Sequence, residues 1–281
     1  MGLAFAFMWS SAFTSARMIV ADAPPLLALS LRFLISGLIG VGIARAMGQS
    51  WQLTRAQWRA TLIFGLCQNA LYLGLNFVAM QSVQASLASI IASTMPLMVA
   101  LFGWLAFGDR LRPLAMAGLV AGVLGVAIIM GARLDGNAPV HGIILCFVGA
   151  LALTVATLSV RGATGRGNVL MIVGLQMFVG AAVLAVASTL TETWAVHWTP
   201  RLGWAFAYTT LVPGLLATWV WFRLVDRIGA VKAATFHFLN PFFGVAVAAV
   251  MLGEHVRATD MIGVAIIAAG ILAVQMSKAR V

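Results

Sequence analysis

The chain has 281 residues, of which 62% are hydrophobic and only 9% charged, with a mean hydropathy of +1.04. Soluble domains carry about 25% charged residues. A soluble enzyme, a disordered chain and a disulfide scaffold are therefore excluded, and a polytopic α-helical membrane protein is expected. The net charge of +10 speaks for nucleic-acid binding only if it forms a continuous basic face.

Ten apolar runs of about 20 residues follow in chain order, at 2–20, 25–46, 58–79, 85–107, 113–131, 141–161, 168–190, 203–225, 230–252 and 258–276. Loop signals separate them: Ala23-Pro24-Pro25, Arg112-Pro113, Asp135-Gly136-Asn137 and Gly165-Arg166-Gly167. The runs are apolar on all sides, whereas barrel strands would alternate apolar and polar residues. The longest gaps, near 47–57 and 191–202, leave no room for an extramembrane domain. Ala21-Asp22-Ala23 has the form of a cleavage site. No basic residue precedes the first run, however, and Ser10, Ser11, Thr14 and Arg17 interrupt it, so it reads as a retained helix.

Loops alternate sides in a ten-span chain. One side holds Arg45, Arg55, Arg59, Arg110, Arg112, Arg161, Arg166, Arg223, Arg227, Lys232, Lys278 and Arg280; the other holds only Arg17, Arg133, Arg201 and Arg257. This asymmetry places both termini in the cytoplasm and spreads the basic charge over thin loops, so no nucleic-acid partner is expected. Cys67 and Cys146 fall inside spans, where thiols more often pack than pair.

The chain repeats at an offset of 145 residues. Ala85, Ala88, Pro96, Gly108, Arg112, Gly118 and Gly125 match Ala230, Ala233, Pro241, Gly253, Arg257, Gly263 and Gly270, and Asp109 matches Glu254. The front of each half aligns at slightly smaller offsets: Gly2 with Gly142, Thr14 with Thr154, Leu31-Arg32 with Leu175-Gln176. Two five-span halves, 1–134 and 138–281, are expected. An odd span number inverts the second half, the architecture of secondary transporters with a site between the halves.

Trp9-Ser10-Ser11-Ala12-Phe13, Leu31-Arg32-Phe33, Ala85 to Pro96 and Gly108-Asp109-Arg110-Leu111 resemble the EamA family of the drug/metabolite transporter superfamily. Ala230 to Pro241 and Gly253-Glu254-His255-Val256 repeat the pattern. Within the family the chain looks most like the YddG-type exporters of aromatic amino acids. The resemblance implies ten helices around a central cavity, exporting amino acids and related metabolites from the bacterial cytoplasm across the inner membrane. Gln176 departs from the pattern, so any role of Arg32 is not duplicated.

Polar residues inside spans are the candidate site, because burial in lipid is costly. Asn69, Tyr72 and Asn76 share one face of span 3 at helical spacing, and His237 and Asn240 share one of span 9. Thr154 and Thr157 lie in span 6, and Trp9, Ser10 and Thr14 in span 1. Amides and hydroxyls bind an α-amino and an α-carboxylate group without burying net charge, and aromatic neighbours suit an apolar side chain. Substrate binding is assigned to Trp9, Ser10, Thr14, Asn69, Tyr72, Asn76, Thr154, His237 and Asn240. Trp9 also suits an interfacial anchor, and Trp194, Trp198 and Trp204 a belt. Ser86, Ser89 and Ser93, Gly118-x-x-x-Gly122 and Gly37-x-x-Gly40 read as helix packing. Arg32 either snorkels to the outer face or meets a substrate carboxylate. Pro96 and Pro241, at matching places, are expected hinges, with spans 3–4 closing one side and spans 8–9 the other.

All seven acidic residues, Asp22, Asp109, Asp135, Glu192, Asp226, Glu254 and Asp260, fall at or near span ends. Proton-coupled pumps commonly use an intramembrane carboxylate. Uncoupled export is the reading taken; the alternative is a multidrug or organic-cation exporter with proton antiport through His237, of a residue type titrating at about 6.5. No zinc-protease, phosphate-loop or Cys-x-x-Cys motif is present, so no enzyme, metal or cofactor is expected. The expected partners are a small-molecule substrate and the lipid bilayer, with the chain acting as a monomer.

Overall fold

A computed structural model describes residues 1–108, 111–134, 139–159, 168–228 and 236–278. The expectations resting on Asp109, Arg110, Asp135, Gly136, Asn137, Arg161, Gly165, Arg166, Gly167, Ala230, Lys232, Ala233 and Arg280 lie outside these residues. Among the described residues the chain is helical and has no strand. In lipid, a helix satisfies its backbone polar groups within one segment.

Ten helical rods follow one another among the described residues. α1 is Gly2–Asp22, α2 Pro25–Ala46 and α3 Arg55–Ala79. α4 comprises Ala85–Ser93 and Met95–Phe107, followed by α5 Pro113–Leu134, α6 Val140–Ser159 and α7 Val169–Thr191. α8 comprises Pro200–Thr209, Thr210–Leu216 and Ala217–Ile228. α9 comprises Phe236–Leu239 and Asn240–Leu252, and α10 is Ala258–Lys278. Eight of the ten, all but α8 and α9, are long and apolar enough to cross a membrane; the described part of α9 is a shorter apolar helix.

The sequence writes the ends of the rods. Pro25 starts α2 where a missing N–H costs nothing. Thr54 and Gln57 form a capping box, which starts α3 at Arg55, earlier than hydropathy alone suggests. Gly108 and Gly253, both left-handed at φ 67° and 65°, stop α4 and α9.

Four rods depart from a plain α-helix. α3 contains a π-helical stretch, Gly65–Leu73, and α8 another, Thr210–Leu216, around Pro213. α4 breaks at Thr94, and α9 opens with the 3₁₀ turn Phe236–Leu239. Pro96 and Pro241 each stand in the first turn of the segment that follows, Met95–Phe107 and Asn240–Leu252. A proline there cannot bond to the turn behind it, so the helix restarts.

α2 lies along α7 and α5 along α10, while α1 rests on α8 and α9, and α6 on α3 and α4. Glycines set the closest approaches. A methyl on Gly118 would stand 2.6 Å from the Gly270 carbonyl, and one on Gly125 2.8 Å from that of Gly263. One on Gly37 would lie 3.2 Å from the Gly174 carbonyl, and Gly122 is filled by Leu97. Leu29, Phe33, Phe77, Met80, Ile90 and Ile271 belong to the main buried cluster. Leu38, Leu105, Val123 and Val250 point outward, as lipid contact requires. Trp194, Trp198 and Trp204 are exposed near the start of α8, and Cys67 and Cys146 are free thiols.

Candidate functional site

Helical spacing puts Phe5 and Trp9 one turn apart on α1. The last segment of α8 supplies Trp221, and the 3₁₀ turn opening α9 supplies His237. These four rings meet. Phe5 stands 5.7 Å from Trp9, 4.9 Å from Trp221 and 5.3 Å from His237, between ring centroids. His237 also meets Trp9 edge-on at 6.3 Å and Trp221 at 5.3 Å. The Asn240 amide nitrogen lies 2.9 Å from His237 Nδ1, and the other amide atom, Oδ1, is buried without a partner.

Ser10 and Thr14 lie one turn apart on α1, both buried, with hydroxyls that have no hydrogen-bond partner. Their neighbour Ser11 pairs with the Tyr208 hydroxyl of α8 at 2.7 Å and donates to the Met8 carbonyl. Thr154, the repeat match of Thr14, donates to the Ala150 carbonyl at 2.8 Å. The fold thus brings Trp9, His237 and Asn240 together, joined by Phe5 and Trp221, and it bonds Tyr208 to Ser11; sequence reasoning did not single out these three aromatic residues. An aromatic ring inside an apolar run has no polarity contrast to mark it.

Asn69 goes to α7, whereas Tyr72 and Asn76 both stand against Gly149 of α6. Asn69 donates to the Gln176 carbonyl of α7 at 3.0 Å, and its Cβ fills the space over Gly180. Asn76 donates to the Tyr72 carbonyl at 2.8 Å and lies against Gly149 of α6. The π stretch, Gly65–Leu73, explains the split: each wide turn holds roughly one residue more than an α turn, so Asn69 within it leaves the face that Tyr72 and Asn76 share. Asn76 Oδ1 is buried without a partner.

The carboxylates at one end of the bundle cap helices of the other half. Glu192 accepts from the Leu26 and Leu27 amides, 2.7 and 3.0 Å, and Glu254 from those of Ala85 and Ser86, 2.8 and 3.0 Å. Asp22 accepts from the Thr199 hydroxyl at 2.9 Å, and Arg17 donates to the Met80 carbonyl. Among the described residues no His, Cys, Asp or Glu group could hold a metal ion.

The sequence profile of the EamA-like transporter family matches residues 1–131 and again 140–276. The protein named Uncharacterized transporter YvbV, from Bacillus subtilis, is 28% identical over 97% of this chain and 90% of its own length. Uncharacterized inner membrane transporter YedA, from Escherichia coli strain K12, is 26% identical over 96% of this chain and 88% of its own. Aromatic amino acid exporter YddG of Ancylobacter novellus is 29% identical, but over only 48% of this chain and 46% of its own, so the narrower likeness to that type covers half the chain. A solved crystal structure superposes with a TM-score of 0.72 at 22% identity, covering 99% of this chain and 96% of the other, which is a shared fold. With both matches of the profile together spanning nearly the whole sequence, the chain belongs to the EamA-like transporter family of multi-pass membrane transporters.

Proposed function

We propose that the chain exports amino acids and related small metabolites across the bacterial cytoplasmic membrane, as a monomeric ten-span carrier with both termini in the cytoplasm. It is not an enzyme. Its halves, 1–134 and 138–281, are inverted repeats that alternate access to a site between them.

One observation carries this reading: contacts between the halves exchange with one another under the repeat. The Gly118–Gly270 approach becomes Gly263–Gly125 at the 145-residue offset, and both are present. At the 144-residue offset of Leu31 and Leu175, the Gly37–Gly174 approach becomes Ala181–Ser30, and Ser30 donates to the Ala181 carbonyl at 2.8 Å. Contacts that survive exchange of the halves are what a two-fold axis between inverted repeats produces. The double profile match supports the same division.

The substrate class follows from the site residues. Unpartnered hydroxyls of Ser10 and Thr14 and the free Oδ1 of Asn240 are neutral groups beside aromatic rings, suited to a zwitterion with an apolar side chain. Asp22, Glu192, Glu254 and Asp260 cap backbone amides or accept a hydroxyl at the rod ends, which supports export down the substrate gradient. Counterflow in proteoliposomes with a panel of labelled amino acids tests the reading. Exchange without dependence on an imposed pH gradient is expected. No exchange of any amino acid overturns export of this class, and concentrative pH-driven uptake that vanishes in His237→Ala replaces it with proton antiport.

A further inference from the structure

Arg32 and Ser36 lie one turn apart on α2 and are 7% and 1% exposed. Arg32 Nε and Ser36 Oγ both lack hydrogen-bond partners. Both approach the π stretch of α8: a methyl placed on Gly214 would stand 3.4 Å from Arg32 Nη2 and 3.6 Å from Ser36 Oγ. The guanidinium and the hydroxyl therefore converge on one place, the bare backbone of Gly214 in the wide turn.

This place is deep. Gly214 is the fifteenth residue of α8, about 20 Å from its start, and Arg32 lies about 10 Å into α2. Among the described residues, the acids at that end of the bundle bond elsewhere: Asp22 with Thr199, Glu192 with Leu26 and Leu27, Glu254 with Ala85 and Ser86, and Asp260 with the Arg257 amide. The Phe33 ring, 5.3 Å away, is the guanidinium's aromatic neighbour. A cation held at this depth with none of these carboxylates bonded to it is costly, and such residues mark the path of an oppositely charged ligand.

We propose that Arg32 and Ser36, with the Gly214 turn, form the subsite for the substrate's carboxylate; this rests on the export reading above. A guanidinium offers a carboxylate two parallel N–H donors, and Ser36 adds a hydroxyl donor. The repeat equivalent of Arg32 is the neutral Gln176. The repeat therefore does not duplicate this subsite, and the substrate has one orientation. Its carboxylate faces α2 and its apolar group faces the aromatic cluster, whose Trp221 lies two turns, about 10 Å, further along α8.

The test compares a transported amino acid with its amide and its decarboxylated amine, in counterflow and in ligand-induced thermal shift. Wild type should prefer the acid at least about tenfold. Arg32→Gln should raise KM for the acid by at least about tenfold and abolish the preference, Arg32→Lys should keep part of it, and Ser36→Ala should raise KM several-fold. Wild type taking the amide as well as the acid overturns the subsite, as does a folded Arg32→Gln with unchanged KM and preference. If Arg32→Gln does not fold, the wild-type comparison and Ser36→Ala decide. If wild type exchanges no amino acid, the export reading fails separately. Benzoate then tests the subsite alone: it should raise the melting temperature of wild type more than that of Arg32→Lys or Ser36→Ala, and equal shifts overturn it.

Discussion

A helical serine or threonine commonly returns its hydroxyl to the carbonyl one turn back, and Ser93, Thr154, Thr157, Thr209, Thr210 and Thr218 all do so. Ser10 and Thr14 do not, although nothing in α1 prevents it, so their hydroxyls remain available to a ligand. Thr14→Val should therefore change melting by less than about 0.5 kcal/mol, while its repeat match Thr154→Val, which loses a made bond, should cost about 1 kcal/mol. Only the first should raise KM for an amino acid in counterflow. The rings beside them predict selectivity: Trp9→Ala and Trp221→Ala should weaken substrates with aromatic side chains about three- to tenfold, with little effect on alanine, as competition counterflow would measure. Equal losses for both substrates would remove the cluster from the site. At this scale the sequence was partly readable. Trp9, His237 and Asn240 stood out as polar or amphipathic residues inside an apolar run. Phe5 did not, since it looks like core. Tyr208 did not either, because its partner Ser11 lies 197 residues away in the chain.

Element by element, hydropathy located the rods well and their internal geometry poorly. The average period of 3.6 residues hides a wide turn, so the face drawn through Asn69, Tyr72 and Asn76 is divided between α6 and α7. Pro213 marks the π stretch in α8, but its counterpart in α3 has no proline and no comparable signal. Pro96 and Pro241 were visible, and the structure gives them a definite job: each restarts a helix after a non-α turn at equivalent positions of the two halves. Pro241→Ala should let the turn Phe236–Leu239 join the helix behind it, slowing turnover about tenfold with KM changed less than about twofold. Single-turnover and steady-state counterflow would separate the two, and equal rates would exclude a hinge. The glycine stripes make a sharper stability prediction. Gly118→Val drives a side chain into the Gly270 backbone and should cost about 3 kcal/mol or more. Gly42→Ala meets nothing within 4 Å and should stabilise by about 0.5–1 kcal/mol through helix propensity. Thermal unfolding in detergent would show the opposite signs.

For the whole molecule, the all-helical class and the membrane-spanning length of its helices were readable in one dimension, because each is a property of composition or spacing. The long-range stitching of the bundle was not. Asp22, Glu192, Glu254 and Asp260 do stand at rod ends, yet Glu192 and Glu254 hold amides more than 160 residues away, on α2 and α4. These two caps, with the Asp22–Thr199 bond, tie the first half to the second at the end where α1–α2, α3–α4, α7–α8 and α9–α10 connect. Carboxylate-to-amide bonds are charge-assisted and stronger than neutral ones. Under the proposed alternating access, opening this end would have to release them, so they would favour closure there. Glu254→Ala should shift the population toward the state open at this end. The readout is thiol labelling of Ser86→Cys, a position 3% exposed beneath the cap, in a chain whose Cys67 and Cys146 are replaced by alanine. Labelling should accelerate several-fold in Glu254→Ala and less in Glu254→Gln, which keeps one acceptor oxygen, and a labelling rate indifferent to residue 254 would mean that the cap only anchors a helix end and takes no part in the transport cycle.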